Sequence, residues 1–311
     1  MTAPTVASEN AVLLMAYGGP TNLDEVEPYL ADVTGRKLPP ALVAEIKERY
    51  RLIGGKSPLL EITQAQSEAL AKRLEQIGSA VTVFIGMRHW QPYIQETVEQ
   101  MAARPIRKVV ALCLSPYYSS ASIGAYAKKL HEAVGETGVA WEIALVASYH
   151  DHPLLLQAFA EKLKGALDRY TPAERAAVQV IFSAHSLPER LLKTGDPYDR
   201  QLRETIAGIM RLVGPLSWHF AYQSQGRTDE PWMGPRVEAV LADLHAAGHR
   251  HVLMAPIGFL ADHVEILYDV DVLFQSVAKA KGMRLDRIES LNVSPRLIEA
   301  LADLIVARLK P

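Results

Sequence analysis

Residues Val180–Tyr198 read VIFSAHSLPERLLKTGDPY, and the first part of this stretch decides the fold. The run Val178–Ala184 is short, apolar and partly β-branched, the pattern of a buried strand rather than of a helix with one apolar stripe. It ends at His185, between Ser183 and Ser186, and Pro188 turns the chain away. Runs of the same kind recur at Val12–Tyr17, Val81–Gly86, Val109–Ser115 and Glu142–Ser148, and again at Trp218–Gln223, His251–Pro256 and Leu285–Leu291. Between them, apolar residues at helical spacing predict helices at Ile62–Ile77, Leu154–Ala166, Leu202–Leu212 and Val237–Ala247. Gly78 and Gly248 follow two of these as natural C-caps, and Pro295 opens a last amphipathic helix, Pro295–Leu309. Strands alternating with helices specify an α/β fold with parallel sheets. Two successive sets of four strands predict two similar domains, each a four-stranded parallel sheet flanked by helices, joined near Tyr149–Pro153. The division is 1–149 for the N-terminal α/β domain and 150–294 for the C-terminal one, with the C-terminal helix in 295–311. Ligands bind beyond the C-terminal ends of strands in such sheets. Attention therefore falls on Tyr17–Pro20, Ser115–Tyr118, Ser183–Pro188, Gln223–Gly226 and Pro256–Glu265, around an interdomain cleft.

Composition excludes several classes. With 311 residues, 49% of them apolar, the chain can build a full core. A net charge of −2 without a Lys/Arg block lacks the footprint of a nucleic-acid binder. The single Cys113 rules out an internal disulfide and a multi-thiolate cluster, and its apolar setting reads as a buried structural thiol. No apolar run approaches the roughly 20 residues of a membrane span, and Met1–Asn10 lacks a signal-peptide layout, so a cytoplasmic protein without a transmembrane segment is expected.

The nucleotide motifs that the fold invites are missing: neither G-x-G-x-x-G nor a Walker sequence follows a strand. Tyr17-Gly18-Gly19-Pro20 carries glycines, but Pro20 removes an amide donor that a phosphate cradle needs, so the segment reads as a tight turn. His185 has the side chain whose ordinary pKa, about 6.5, suits proton transfer near neutrality. On composition alone, a strand-end histidine reads equally as structural or catalytic. Ser186 adjoins it, but chain adjacency makes no nucleophile–base pair and no G-x-S-x-G elbow is present. In Pro256–Asp271, PIGFLADHVEILYDVD, a strand is expected to run into a helix with Glu265 and Asp269 four residues apart and Asp262 beside them if the helix has already begun. An acidic helix start and a metal path weigh evenly there; carboxylates with imidazole suit a divalent cation. His150-Asp151-His152 and His249-Arg250-His251 read as solvated or structural histidines, and Ser119–Ser122 as a helix cap or a carboxylate-binding helix start.

The ordered motifs together resemble the ferrochelatases. LLMAYGGP near the N-terminus, IGGKSPLLEITQAQ at Ile53–Gln66, the His185 segment with HSLP and GDPY, YQSQGRTDEPWMGP at Tyr222–Pro235 and GFLADHVEILYDVD at Gly258–Asp271 span nearly the whole chain. The resemblance implies two similar α/β domains with a porphyrin in the cleft, and a C-terminal helix that crosses back onto the first domain. It implies insertion of Fe(II), as a substrate and with no tightly bound cofactor, by His185 and Glu265. His185 then accepts a pyrrole proton, ligates iron, or both, while Glu265 with Asp269 guides iron or passes protons onward. Tyr17 stands where members from Gram-positive-type bacteria that metallate coproporphyrin III carry tyrosine near the metal. In that group Arg36, Arg49, Ser57 and Tyr126 fall at propionate-binding positions. Coproporphyrin III is the substrate expected on this resemblance, with protoporphyrin IX as the alternative and a tetrapyrrole carrier without turnover as the rival of another class. A haem-handling protein is the partner implied for the product. Leu273 stands where some bacterial members extend the carboxylate row, which puts a secondary metal site there in doubt.

Overall fold

The computed structural model describes residues 9–79 and 81–310, so residues 1–8, Ala80 and Pro311 of the ranges above lie outside the described residues. The first sheet contains β1 (Asn10–Ala16), β2 (Thr82–Met87), β3 (Lys108–Cys113) and β4 (Glu142–Val146) in the spatial order β2-β1-β3-β4. The second contains β5 (Gln179–His185), β6 (Trp218–Gln223), β7 (His251–Ala255) and β8 (Arg284–Arg287) in the order β6-β5-β7-β8. Every pairing is parallel and both sheets share one topology.

The inner strands β1, β3, β5 and β7 are mostly apolar and almost wholly buried because both faces of each sheet are covered. Val12 and Leu14 of β1, Val110 and Leu112 of β3, and Val180, Phe182 and Ala184 of β5 share one core that runs between the sheets. The intervening Leu13, Met15, Ala111 and Cys113 pack in a second cluster on the far face of the first sheet. Cys113 is buried there, and burial pushes its thiol pKa well up, as a structural cysteine requires. The far face of the second sheet has its own cluster around Ile181, Val252 and Met254.

Helix Pro295–Leu309 lies against helix Leu59–Gln76 of the first half and helix Pro153–Leu167. Its buried Leu297, Leu301 and Ile305 join the shared core, each worth about 1.5–3 kcal/mol on burial. The helices Val26–Thr34 and Pro40–Leu52, inserted between β1 and β2, form a small lobe around Val26, Tyr29, Leu30 and Tyr50. Trp90 and Val264 pack against it, so the lobe touches the second half beside Glu265. Among the described residues no helix is long and apolar enough to cross a membrane.

Two expectations are corrected. The last strand stops at Arg287 instead of Leu291. Beyond it Ser290 and Asn292, the latter at φ 43°, turn inward to hydrogen-bond the Asp262 carboxylate at 2.7 and 2.9 Å. Asp262 is accordingly in a loop and not helical. The helix after it is brief, Val264–Leu267, and gives way to a π-helix at Asp269–Phe274. Glu265 and Asp269 therefore do not share a continuous α-helical face.

Candidate active-site cleft

In both sheets the chain crosses from one side of the central strand to the other, so β1/β3 and β5/β7 are switch points where a crevice opens. The residues leaving those strands line one cleft of about 330 Å³: Ala16 and Tyr17 after β1, Leu114 and Ser115 after β3, His185 on β5, and Gly258–Ala261 beyond β7. Tyr126, Tyr198, His263 and Glu265 complete its polar wall.

His185 is the last residue of β5. Its Nδ1 contacts the carbonyl oxygen of Ser186, which can only accept, so Nδ1 carries a proton and Nε2 is left for other partners. Nε2 lies 3.5 Å from Glu265 Oε1, and His263 Nε2 lies 3.6 Å from Glu265 Oε2. The backbone around this group is firmly held. Tyr198 Oη donates to the His185 carbonyl at 3.0 Å, and the Ser186 amide donates to the Gln223 carbonyl at 2.7 Å. The buried Gln223 side chain accepts from Ser183 Oγ and donates to the Glu265 carbonyl, both at 2.8 Å. One side chain thus ties β5 and β6 to the Glu265 helix.

Glu265 is pulled two ways. Burial pushes its carboxyl pKa up, while the positive charge available at His185 and the hydrogen bond and charge of His263 pull it down, and the net result is below the ordinary value. The group is an anion between two imidazoles. Across the cleft Tyr17 is 40% exposed, with its ring 4.7 Å from that of His89, which in turn contacts Asp32 at 2.9 Å. The cleft walls desolvate the Tyr17 hydroxyl, and with the charge of Glu265 this pushes its pKa up to about 12, so it is a neutral phenol at working pH. The preceding turn agrees with its sequence: Gly18 has φ +95°, and a Cβ on Gly19 would lie 2.7 Å from Ser57.

The other expected site residues divide. Tyr126 lines the cleft. Asp269 does not: its carboxylate bonds Ser224 Oγ and lines a separate cavity of about 320 Å³ with Arg49, Gln223 and Leu273. Burial, reinforced by Glu265, raises its pKa to about 6 despite that bond. Arg49 is paired with Glu45 at 2.7 Å and sits 5.1 Å over the Tyr268 ring. Ser57 is buried behind Gly19, where its Oγ accepts the Leu59 amide at 3.3 Å, and Arg36 is exposed just past helix Val26–Thr34. Arg36, Arg49 and Ser57 do not line the cleft. Conversely, His263, Tyr198 and Arg88 line it without having been singled out. His263 was within reach of the sequence, two residues before Glu265 in ADHVE.

His150 bonds Ser148 at 2.8 Å and Glu204 at 2.7 Å, and so joins the end of β4 to helix Tyr198–Val213, a structural role. Among the described residues no group of three or more His, Cys, Asp or Glu side chains is arranged to hold a metal ion.

One glycine sets the position of His185. A Cβ on Gly258 would lie 2.6 Å from both Cα and Cβ of Ala184, while the Gly258 amide donates to the Ser183 carbonyl at 3.0 Å. Gly258→Ala is expected to cost about 1–3 kcal/mol by overpacking and to slow the reaction by displacing His185. Urea unfolding and turnover check this together; an unchanged midpoint and rate would show that the two loops do not press on each other.

Two parallel sheets of this order, with their switch points on a common cleft, define a chelatase fold. The chain superposes on the sirohydrochlorin chelatase SirB from Bacillus subtilis subspecies spizizenii with a TM-score of 0.58, covering 97% of this chain and 96% of that one at 10% identity. CbiX, from siroheme biosynthesis in denitrifying bacteria, gives a TM-score of 0.54 at 12% identity over 96% of this chain and 98% of that one. Sequence relatives are nearer. A ferrochelatase of Deinococcus radiodurans is 43% identical, over 98% of each chain. A coproporphyrin III ferrochelatase of Geobacillus thermodenitrificans is 39% identical over 96% of this chain and 95% of that protein. With the ferrochelatase family model matching residues 9–309, the chain belongs to the ferrochelatase family.

Proposed function

We propose that this protein inserts ferrous iron into coproporphyrin III, with His185 and Glu265 on one face of the ring and Tyr17 on the other. The observation that carries the reading is the cleft itself: Tyr17 from the first half opens into the same space as the His185–Glu265 pair from the second. Insertion needs two pyrrole N–H protons removed and the nitrogen lone pairs turned towards the metal. With Nδ1 engaged on the Ser186 carbonyl, His185 Nε2 is the atom free to take a proton. The Glu265 carboxylate then faces the imidazolium that results, and is an anion able to receive a divalent ion. Iron reaching this pair completes its coordination with the macrocycle nitrogens, so the protein needs no closed ligand cage. A neutral Tyr17 hydroxyl on the opposite side offers a weak oxygen donor rather than a competing anion.

Tyr17 and the relative named for coproporphyrin III support the finer choice of substrate. We read 1–149 and 150–294 as the two domains facing this ring, with 295–311 as the C-terminal helix that packs back on the first domain. The test is anaerobic metallation by the purified protein, with coproporphyrin III and protoporphyrin IX compared by absorption spectroscopy. The kcat/KM for coproporphyrin III is expected to exceed that for protoporphyrin IX by at least about ten-fold, the worth of one charge-assisted hydrogen bond. A preference for protoporphyrin IX would overturn the substrate and keep the chelatase; binding without metallation of either ring would make the protein a carrier.

A further inference from the structure

We propose that Arg88 is a carboxylate anchor of the cleft and orients the porphyrin through one propionate, an inference that rests on the porphyrin-metallation reading above. Arg88 follows β2, and its side chain lines the cleft beside Ala121, Ser122 and Tyr126. The backbone there is fixed: the Arg88 amide donates to the Ala16 carbonyl at 2.9 Å, and Lys129 Nζ donates to the Arg88 carbonyl at 2.6 Å. The guanidinium lies 5.5 Å from the centre of the Tyr126 ring and donates from one Nη only to the Ala121 carbonyl, at a long 3.3 Å. Its Nε is buried without a partner. Among the described residues no carboxylate comes within ion-pair distance of it, although Asp32, Glu132 and Glu136 line a neighbouring cavity that Arg88 also borders.

An arginine carries five donors in a fixed plane, and a buried donor left unmade is costly. Other arginines near the site already have carboxylate partners: Arg49 and Arg227 share Glu45, and Arg287 pairs with Asp262 and Asp271, although Arg49 Nε is likewise buried without a hydrogen bond. Arg88 is the lining cation whose hydrogen-bonding capacity is largely unused. A carboxylate in the cleft can accept from the guanidinium's Nη groups, the buried Nε being closed to it, and such a contact is charge-assisted. The position suits the purpose as well. Arg88 and Tyr17 line the same cleft. Ser122, at the start of helix Ile123–Thr137, lines the same corner with a hydroxyl that makes no capping bond. A propionate held between Arg88 and Ser122 would fix the in-plane rotation of the ring relative to His185. The Arg36, Arg49 and Ser57 positions, outside the cleft, do not provide that constraint.

The test compares wild type with Arg88→Met, which keeps the aliphatic stem against Tyr126, and with Arg88→Lys, which keeps the charge. Affinity is read by porphyrin fluorescence quenching and turnover by metallation, each with coproporphyrin III and with its detergent-solubilised tetramethyl ester. The Met variant is expected to bind the free acid roughly ten- to a hundred-fold more weakly and the ester as wild type does. Lys should recover part of the loss, and kcat at saturation should fall far less than KM rises. An equal loss for acid and ester would assign Arg88 a structural role under the 119–126 segment, and no loss with either would remove it from recognition; both overturn the proposal. The parent reading fails differently, through a wild-type protein that binds porphyrin but does not metallate it.

Discussion

Replacement of His185 by alanine is expected to slow single-turnover metallation by about a hundred- to ten-thousand-fold, the usual share of a positioned proton acceptor, while porphyrin affinity stays nearly constant. The two halves of that expectation rest on different atoms. The cleft presents Leu59, Leu114, Leu187, Phe259 and Leu260 to a flat apolar ring, and none of these depends on the imidazole. The chemistry depends on Nε2, the histidine nitrogen not engaged by the Ser186 carbonyl. The substitution leaves the fold intact because the strand beneath is held by backbone bonds and by Gln223, and the imidazole itself is 30% exposed. Stopped-flow absorbance with Fe(II) and fluorescence titration in its absence separate the steps. A variant that metallates normally would remove His185 from the chemistry, and one that no longer binds the ring would make it a recognition residue instead.

The sheets are legible because the inner strands are short, mostly apolar runs: Trp218–Gln223 falls at its expected bounds and the first seven runs are displaced by at most two residues at either end. Helix Pro295–Leu309 was equally plain, since its proline start and apolar spacing fall together. The inserted helices at Val26–Thr34 and Pro40–Leu52 were not singled out, because the little core they enclose leaves most of their surface polar and their ends are set by Gly35 and Pro40. The Glu265 segment was misjudged for a different reason. A π-helix bonds each amide five residues back, as Leu273 does to Tyr268, and this carries later side chains off the 3.6-residue spacing that a sequence pattern assumes. Asp269 thereby turns to Ser224 and a second cavity while Glu265 stays with the histidines. Arg88 escaped notice because a single cation after a strand has no periodicity to mark it; only its lack of a carboxylate partner in three dimensions distinguishes it from the paired arginines.

Glu265→Gln is the second substitution with a large expected effect, and it separates charge from shape. The amide fills the same volume between His185 and His263 but removes the anion. A carboxylate and a divalent cation about 4 Å apart interact by about 8 kcal/mol at an effective dielectric near 20, before desolvation of the ion is counted, so a loss of about a thousand-fold is well within what the charge can contribute. The loss is expected mainly as a higher half-saturating Fe(II) concentration, with a smaller fall in kcat and no change in porphyrin affinity. Stability should hold, because the amide can still hydrogen-bond both imidazoles and no lysine or arginine is left unpaired in the site. Metallation rates across a series of Fe(II) concentrations, with a thermal melt of the same protein, check each part. If kcat collapses while the Fe(II) dependence is unmoved, Glu265 moves protons from His185 rather than receiving the metal. If neither parameter changes, the carboxylate is only a structural neighbour of His185, and iron must approach the ring from the Tyr17 side.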